Sequence, residues 1–168
     1  MELRARKKLR LENYGYDKPG CYFVTICVKD RHNILWEPRR LSEMGVGADV
    51  LIGPPAGLSQ IGKIVESMIE QMPCVDKYVV MPNHIHLILR IFDAGNGPMG
   101  TSAPTQSLPQ VVRYLKRSVT IVCGFNIWQR SYHDHIIRND ADYLSIWEYI
   151  NTNPAKWRED CYYTEDGV

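Results

Sequence analysis

No run in this chain approaches the roughly 20 apolar positions that a membrane-spanning helix needs. The basic opening MELRARKKLR is followed by LENYGYDKPG, with no apolar stretch of the kind an export signal carries. Neither a membrane partner nor export is indicated, and a cytoplasmic location is expected. There is no CxxC pair. The five cysteines, Cys21, Cys27, Cys74, Cys123 and Cys161, are odd in number and widely spaced, so neither a disulfide framework nor a cysteine zinc site is indicated. A third absence is local: no Asp or Glu lies between Ala94 and His133. Arg113, Lys116, Arg117 and Arg130 fall inside that window, and five of the first ten residues, among them Arg6, Lys7 and Lys8, are Arg or Lys. The net charge of +1 thus hides a segregation of positive charge that an anionic partner favours.

With 168 residues and 45% hydrophobic content, the chain suffices for one compact core. We expect a single domain over 1–168, with a basic arm over about 1–18 and a flexible Gly- and Pro-rich loop over about 94–107. CYFVTICVK, Cys21 to Lys29, is β-branched and aromatic and predicts the first strand. Glu37 to Leu58 has the composition of an irregular excursion. From Ser59, Ile61, Ile64, Met68 and Ile69 recur at helical spacing until Pro73. Strands are predicted over about Asp76 to Met81 and His84 to Ile91, turning at Pro82 and Asn83. A second helix is expected from about Leu108 to Val122. Its apolar stripe is Val111, Val112, Leu115, Val119 and Val122, and its opposite, basic stripe is Arg113, Lys116, Arg117 and Thr120. A fourth strand within Arg130 to Arg138 and a terminal helix from Asn139 or Asp140 complete the order βαββαβα. That is an α+β chain with the ferredoxin-like split βαβ arrangement. Two crossover helices would cover one face of its antiparallel sheet and leave the other open.

YVVMPNHIHLILRI, Tyr78 to Ile91, places two histidines in an apolar strand. Alternation puts His84, His86 and Ile88 on one face, and Ile85, Leu87 and Leu89 on the other. In the terminal helix, Tyr143, Ile146, Trp147 and Ile150 form a core stripe, while Ser145, Tyr149, Thr152 and Asn153 form a polar one. If that helix crosses the open face, Tyr149 and Asn153 approach the histidines. Two neutral imidazoles and an amide oxygen leave positions on Mg²⁺ or Mn²⁺ open for phosphate oxygens. A phenol beside positive charge is favoured as phenolate, the form that attacks. Metal and tyrosine together point to phosphoryl transfer.

HIH at His84 to His86 resembles the HUH motif of single-tyrosine nucleases. YDKPGCYFVTICVKDR, VVMPNHIHLIL and WQRSYHDHIIRNDADYLSIWEYINTNPAKW, in that order, resemble the REP-associated tyrosine transposases. The resemblance implies that His84 and His86 bind the metal, that Tyr149 is the nucleophile and that Asn153 supplies a third ligand. It further implies cleavage of single-stranded DNA beside hairpins, through a 5′-phosphotyrosine that conserves the energy for rejoining. Arg113, Lys116, Arg117, Arg130, His135, Arg138 and the arm residues Arg6, Lys7 and Lys8 are the expected DNA contacts. His133 and His135 form a rival histidine pair, and Tyr143, Tyr162 and Tyr163 are rival nucleophiles. Two other activities stay open: a DNA-binding relative that no longer cleaves, and a phosphodiesterase with a water nucleophile. Monomer and homodimer stay equally open.

Overall fold

A computed structural model of the chain describes residues 18–37, 57–92 and 107–164. The arm with Arg6, Lys7 and Lys8, and most of the 37–58 and 94–107 segments, lie outside them. The described elements are β1 (Gly20–Cys27), α1 (Gln60–Glu70), β2 (Val75–Val80), β3 (His84–Ile91), α2 (Leu108–Cys123), β4 (His133–Ile137) and α3 (Asp140–Thr152). The strands form one antiparallel sheet in the order β2-β3-β1-β4, the arrangement expected of a split βαβ fold. No helix among the described residues is long and apolar enough to cross a membrane.

Local chemistry explains the element ends. Ser59 caps α1 by accepting from the Gly62 N–H at 3.0 Å, and its own hydroxyl donates to the Ile34 carbonyl at 2.6 Å. Ser107 opens α2 in a capping box, its N–H donating to Gln110 Oε1 at 2.8 Å. Gly124 closes α2 at φ 79°, a left-handed conformation that glycine adopts without a Cβ clash. β1 stops at Cys27, short of the expected Lys29, because Val28 leaves the ladder to bridge Trp128.

The core lies between the sheet and the α1–α2 layer. Tyr22, Val24 and Ile26 of β1 and Ile85, Leu87 and Leu89 of β3 meet Val65, Ile69, Val111, Leu115 and Val119, all buried. The stripe of α1 is rotated from the expected one. Val65 is wholly buried, whereas Ile61 and Met68 are only partly so. Gly62 turns it: a Cβ there would stand 2.0 Å from the Leu35 carbonyl oxygen, so the helix rests directly on that backbone. Val122, expected in the core, is 55% exposed.

The second face carries Phe23, Thr25 and Cys27 of β1 with His84, His86 and Ile88 of β3. Thr25 pairs with both His86 and His133, which makes one polar row across three strands. α3 lies on this side near β2. There the Tyr143 hydroxyl donates to Asp76 Oδ2 at 2.6 Å and Lys77 Nζ donates to Asn151 Oδ1 at 3.3 Å. Only Ile150 of its expected core stripe is fully buried, and Trp147 stays 39% exposed with the Lys77 ammonium 4.6 Å from its ring. α3 lies along the charged edge strand β2, and its expected core stripe is less covered than the sequence pattern implied.

Candidate active site

The histidines project from a strand that is buried on both faces. His84 is 0% and His86 1% exposed, and their Nε2 atoms stand 2.9 Å apart. Each Nδ1 has a partner: Asn83 Oδ1 at 2.9 Å from that of His84, and Thr25 Oγ1 at 2.8 Å from that of His86. From α3, the Tyr149 hydroxyl oxygen reaches to 3.2 Å from His86 Nε2. The Phe23 ring packs against both, 5.2 Å from His86 and 6.0 Å from Tyr149 between centroids.

Beyond α3 the chain turns through Pro154 into a 3-10 segment, Asn153–Glu159, whose Trp157 is buried. This turn delivers Asp160. The Tyr149 hydroxyl donates to its Oδ2 at 3.1 Å, and the same oxygen lies 4.0 Å from His84 Nε2. Donor atoms of His84, His86 and Asp160 all lie within 4.8 Å of one another, the one such group among the described residues. Two imidazole nitrogens and a carboxylate suit a divalent ion, and each imidazole has the outer hydrogen bond that orients metal-ligating histidines. Asn153, the ligand expected from the sequence, is 3% exposed at the end of α3 with an unpartnered Nδ2. It lines a cleft of about 350 Å³ together with Tyr149, Lys156 and Asp160.

Electrostatics divide the site. Burial, reinforced by the Arg31 charge, pushes the His84 imidazole down to about 3. Burial, then His84 itself, holds His86 well below the ordinary range. Both are neutral at pH 7, as metal ligation requires. The phenol of Tyr149 departs from expectation: burial first, and then the Asp160 carboxylate, push it up and hold it protonated. The neighbouring charge is negative, where the sequence reading placed a positive one.

The other expected residues are scattered. Arg113 and Arg117 are exposed on α2, which covers the opposite face of the sheet, so the basic stripe does not face the histidines. Lys116 is half-buried, with Nζ donating to the carbonyls of Gln129 and Ser131 at 2.8 Å each, and burial pushes it down to about 8. It holds the chain entering β4 and is not free for phosphate. His135 and His133 do lie on the site face of β4, and His135 Nε2 pairs with Asp142 Oδ2 at 2.9 Å. Arg130 and Arg138, both exposed, flank that strand. Tyr143 is occupied with Asp76, and Tyr162 packs against His84 at 4.7 Å between centroids with the rings tilted 41°. Asp160, Asn83 and Thr25 were missed. Asn83 and Thr25 sit inside quoted motifs, and the only signal for Thr25 was its place on the histidine face. Asp160 carries no periodic signal at all.

A Haemophilus influenzae protein named only as uncharacterized is 31% identical over 185 residues, covering 97% of this chain and 96% of its own length. A REP-associated tyrosine transposase of Escherichia coli is 34% identical over 83 residues, 49% of this chain and 44% of that protein. A solved REP-associated tyrosine transposase, bound to a REP hairpin, shares the fold with a TM-score of 0.53 at 23% identity, over 88% of this chain and 74% of that one. No family model matches the chain. On this similarity, and on an α+β fold held in common, the chain resembles the REP-associated tyrosine transposases.

Proposed function

We propose that this chain, acting as one HUH domain over 1–168, is a metal-dependent single-stranded DNA endonuclease and strand transferase that works beside hairpins. The observation that carries the reading is the convergence of Tyr149, His84, His86 and Asp160. One phenol oxygen lies within 3.2 Å of an imidazole nitrogen and 3.1 Å of a carboxylate oxygen. Hairpin DNA is the substrate class because the solved relative is bound to a REP hairpin.

His84 and His86 would supply nitrogen ligands and Asp160 an oxygen, with the Asn153 amide on the same cleft as the further ligand expected from the sequence. Mg²⁺ or Mn²⁺ held there supplies Lewis-acid polarisation of the scissile phosphate. The Tyr149 oxygen attacks phosphorus, the bond from phosphorus to the 3′ oxygen breaks, and the departing 3′ oxygen takes a proton from water, which leaves a 5′-phosphotyrosine and a free 3′-hydroxyl. The phenolic proton has an acceptor in Asp160 Oδ2, its present hydrogen-bond partner. Rejoining reverses the displacement when a 3′-hydroxyl attacks the phosphotyrosine. His135, Arg130 and Arg138 are the DNA contacts nearest the site face. Arg113 and Arg117 would meet only DNA that passes around the molecule.

A phosphodiesterase with a water nucleophile draws support from the protonated state of Tyr149. One experiment separates the readings: labelled single-stranded hairpin DNA is incubated with the protein and Mn²⁺, then run on a denaturing gel. A covalent adduct whose nucleotide maps to the peptide containing Tyr149 supports the proposal. Cleavage without adduct supports the water reading, and binding without cleavage supports a DNA-binding relative.

A further inference from the structure

One buried residue cannot orient a helix. Ile150 is the only fully buried residue of α3, so apolar contact fixes one point along the helix and leaves its roll about its own axis open. Polar contacts set that roll. Asp142 and Tyr149 share one stripe of α3, Tyr143 and Ile150 share the next, and Asn151 lies on a third. Asp142 Oδ2 pairs with His135 Nε2 of β4 at 2.9 Å, the Tyr143 hydroxyl donates to Asp76 Oδ2 of β2 at 2.6 Å, and Asn151 accepts from Lys77 at 3.3 Å. Neighbouring helix residues point about 100° apart, so the first turn of α3 is held from both rims of the sheet at once.

Adjacent residues of a regular strand face opposite sides, yet Asp76 and Lys77 both reach α3. The register explains it. Val75 pairs with Leu89 and Lys77 with Ile88, so Asp76 is an extra residue, a β-bulge that aims its carboxylate at the helix. Arg90 of β3 fixes that carboxylate, with Nε 3.2 Å from Oδ1 and Nη2 3.3 Å from Oδ2, a two-point fork that sets its plane. The same guanidinium lies 5.6 Å from the centre of the Tyr143 ring. The Tyr143 hydroxyl therefore meets an acceptor whose place and direction are both set by the sheet.

We propose that Asp76 is a positioning residue for the phenol: through Tyr143 it sets the roll of α3, and so the place of the Tyr149 oxygen, while Arg90 squares its carboxylate. Tyr149 stands about 9 Å along the axis from Tyr143, and the helix carries a roll at its first turn to that point as a rigid rod. A roll of about 10° moves a side-chain end about 6 Å from the axis by about 1 Å. Misplacement of a reacting atom by that much costs up to about 100-fold in rate. The His135–Asp142 pair holds the Tyr149 stripe toward β4 and resists the opposite roll. The inference rests on the proposal that Tyr149 is the nucleophile, and extends it to the residues that aim it.

The test compares the whole wild-type protein with Tyr143→Phe, which removes one hydroxyl and keeps the ring beside Arg90, and with Asp76→Ala. Adduct formation on labelled hairpin DNA with Mn²⁺ is followed in single turnovers over a range of DNA concentrations. Proton NMR cross-peaks between the Tyr149 and Phe23 rings, whose centroids are 6.0 Å apart, report the place of the phenol without any reaction. The maximal rate should fall about tenfold in Tyr143→Phe and about 100-fold in Asp76→Ala, with the half-saturating DNA concentration unchanged. The cross-peak should weaken in both. The double variant should be no slower than Asp76→Ala alone, since its second change removes a bond already lost. An unchanged maximal rate in either variant, a rise in the half-saturating concentration alone, additive losses in the double variant, or a Tyr149–Phe23 cross-peak of full strength in Asp76→Ala each overturns the role. Should circular dichroism show Asp76→Ala unfolded, Tyr143→Phe carries the rate and cross-peak comparisons by itself. A wild type that forms no adduct overturns the nucleophile reading, and the cross-peaks then decide whether Asp76 orients α3.

Discussion

β1 and β3 are each used twice, and their two faces obey different rules. On the α1–α2 side, Tyr22, Val24, Ile26, Ile85, Leu87 and Leu89 form an apolar layer. On the other, Thr25, His84 and His86, with Asn83 beside them, are buried as deeply, yet nearly every polar atom has a named partner. The first face gains from removing carbon from water, about 25 cal/mol per Å². The second must offset the desolvation of each polar group with a hydrogen bond. Adjacent residues on one strand therefore contribute through opposite physics, and substitutions one position apart should fail in different ways.

The largest effect is expected at Tyr149. Tyr149→Phe deletes one hydroxyl, and the ring can keep its contact with Phe23. Hairpin and Mn²⁺ binding should persist while the covalent adduct and cleavage vanish in a gel assay; substantial residual cleavage would transfer the attack to water.

Neighbours His86 and Leu87 set the faces against each other. His86→Ala should abolish metal-dependent cleavage while circular dichroism still reports a folded chain. Leu87→Ala should cost about 2–5 kcal/mol in urea unfolding yet retain cleavage at low temperature. Similar outcomes for the two would erase the distinction between the faces.

Acid should act on the polar face in particular. His84 stays neutral in the folded chain down to about 3, whereas an unfolded histidine binds a proton near 6.5. The unfolded state thus holds more protons between those values, and stability falls as pH falls through that window. From pH 7 to pH 5 the loss from His84 alone is about 2 kcal/mol. His84→Gln should lose correspondingly less over the same range in urea titrations of metal-free protein.

Smallest of all should be Arg113→Ala and Arg117→Ala. Each would lower the salt slope of single-strand binding by about 0.7 at most, and leave the cleavage position unchanged, because α2 backs the other face. A loss of cleavage in either variant would bring the basic stripe to the site after all.

What was legible in the sequence divides by range. β3 and α2 were placed at or within a residue of their bounds because alternation and helical period are local signals, and the two histidine faces followed from the same rule. Tyr149 was set apart from its helix core by spacing alone. Asp160 was invisible because a proline turn and a 3-10 segment separate it from any periodic element. Val65 was passed over in favour of Ile64 because the close approach at Gly62 depends on a backbone 27 residues away in sequence, that of Leu35. The basic stripe was correctly seen as a stripe. That it backs away from the histidines follows from both crossover helices sharing one layer, and Lys116 was lost from it to carbonyls that spacing cannot reveal.

The strand order has a further effect on how the molecule behaves in company. Among the described residues, placing β1 and β3 inside leaves β2 and β4 as the rims of the sheet, each with one side that no described strand pairs. Both rims are short, at six and five residues, and both carry charge: Asp76 and Lys77 on one, Asp134 on the other. A foreign strand adding to either rim would have to bring those charges out of water with it. The apolar strands are kept inside the sheet, and the rims are poor templates for aggregation.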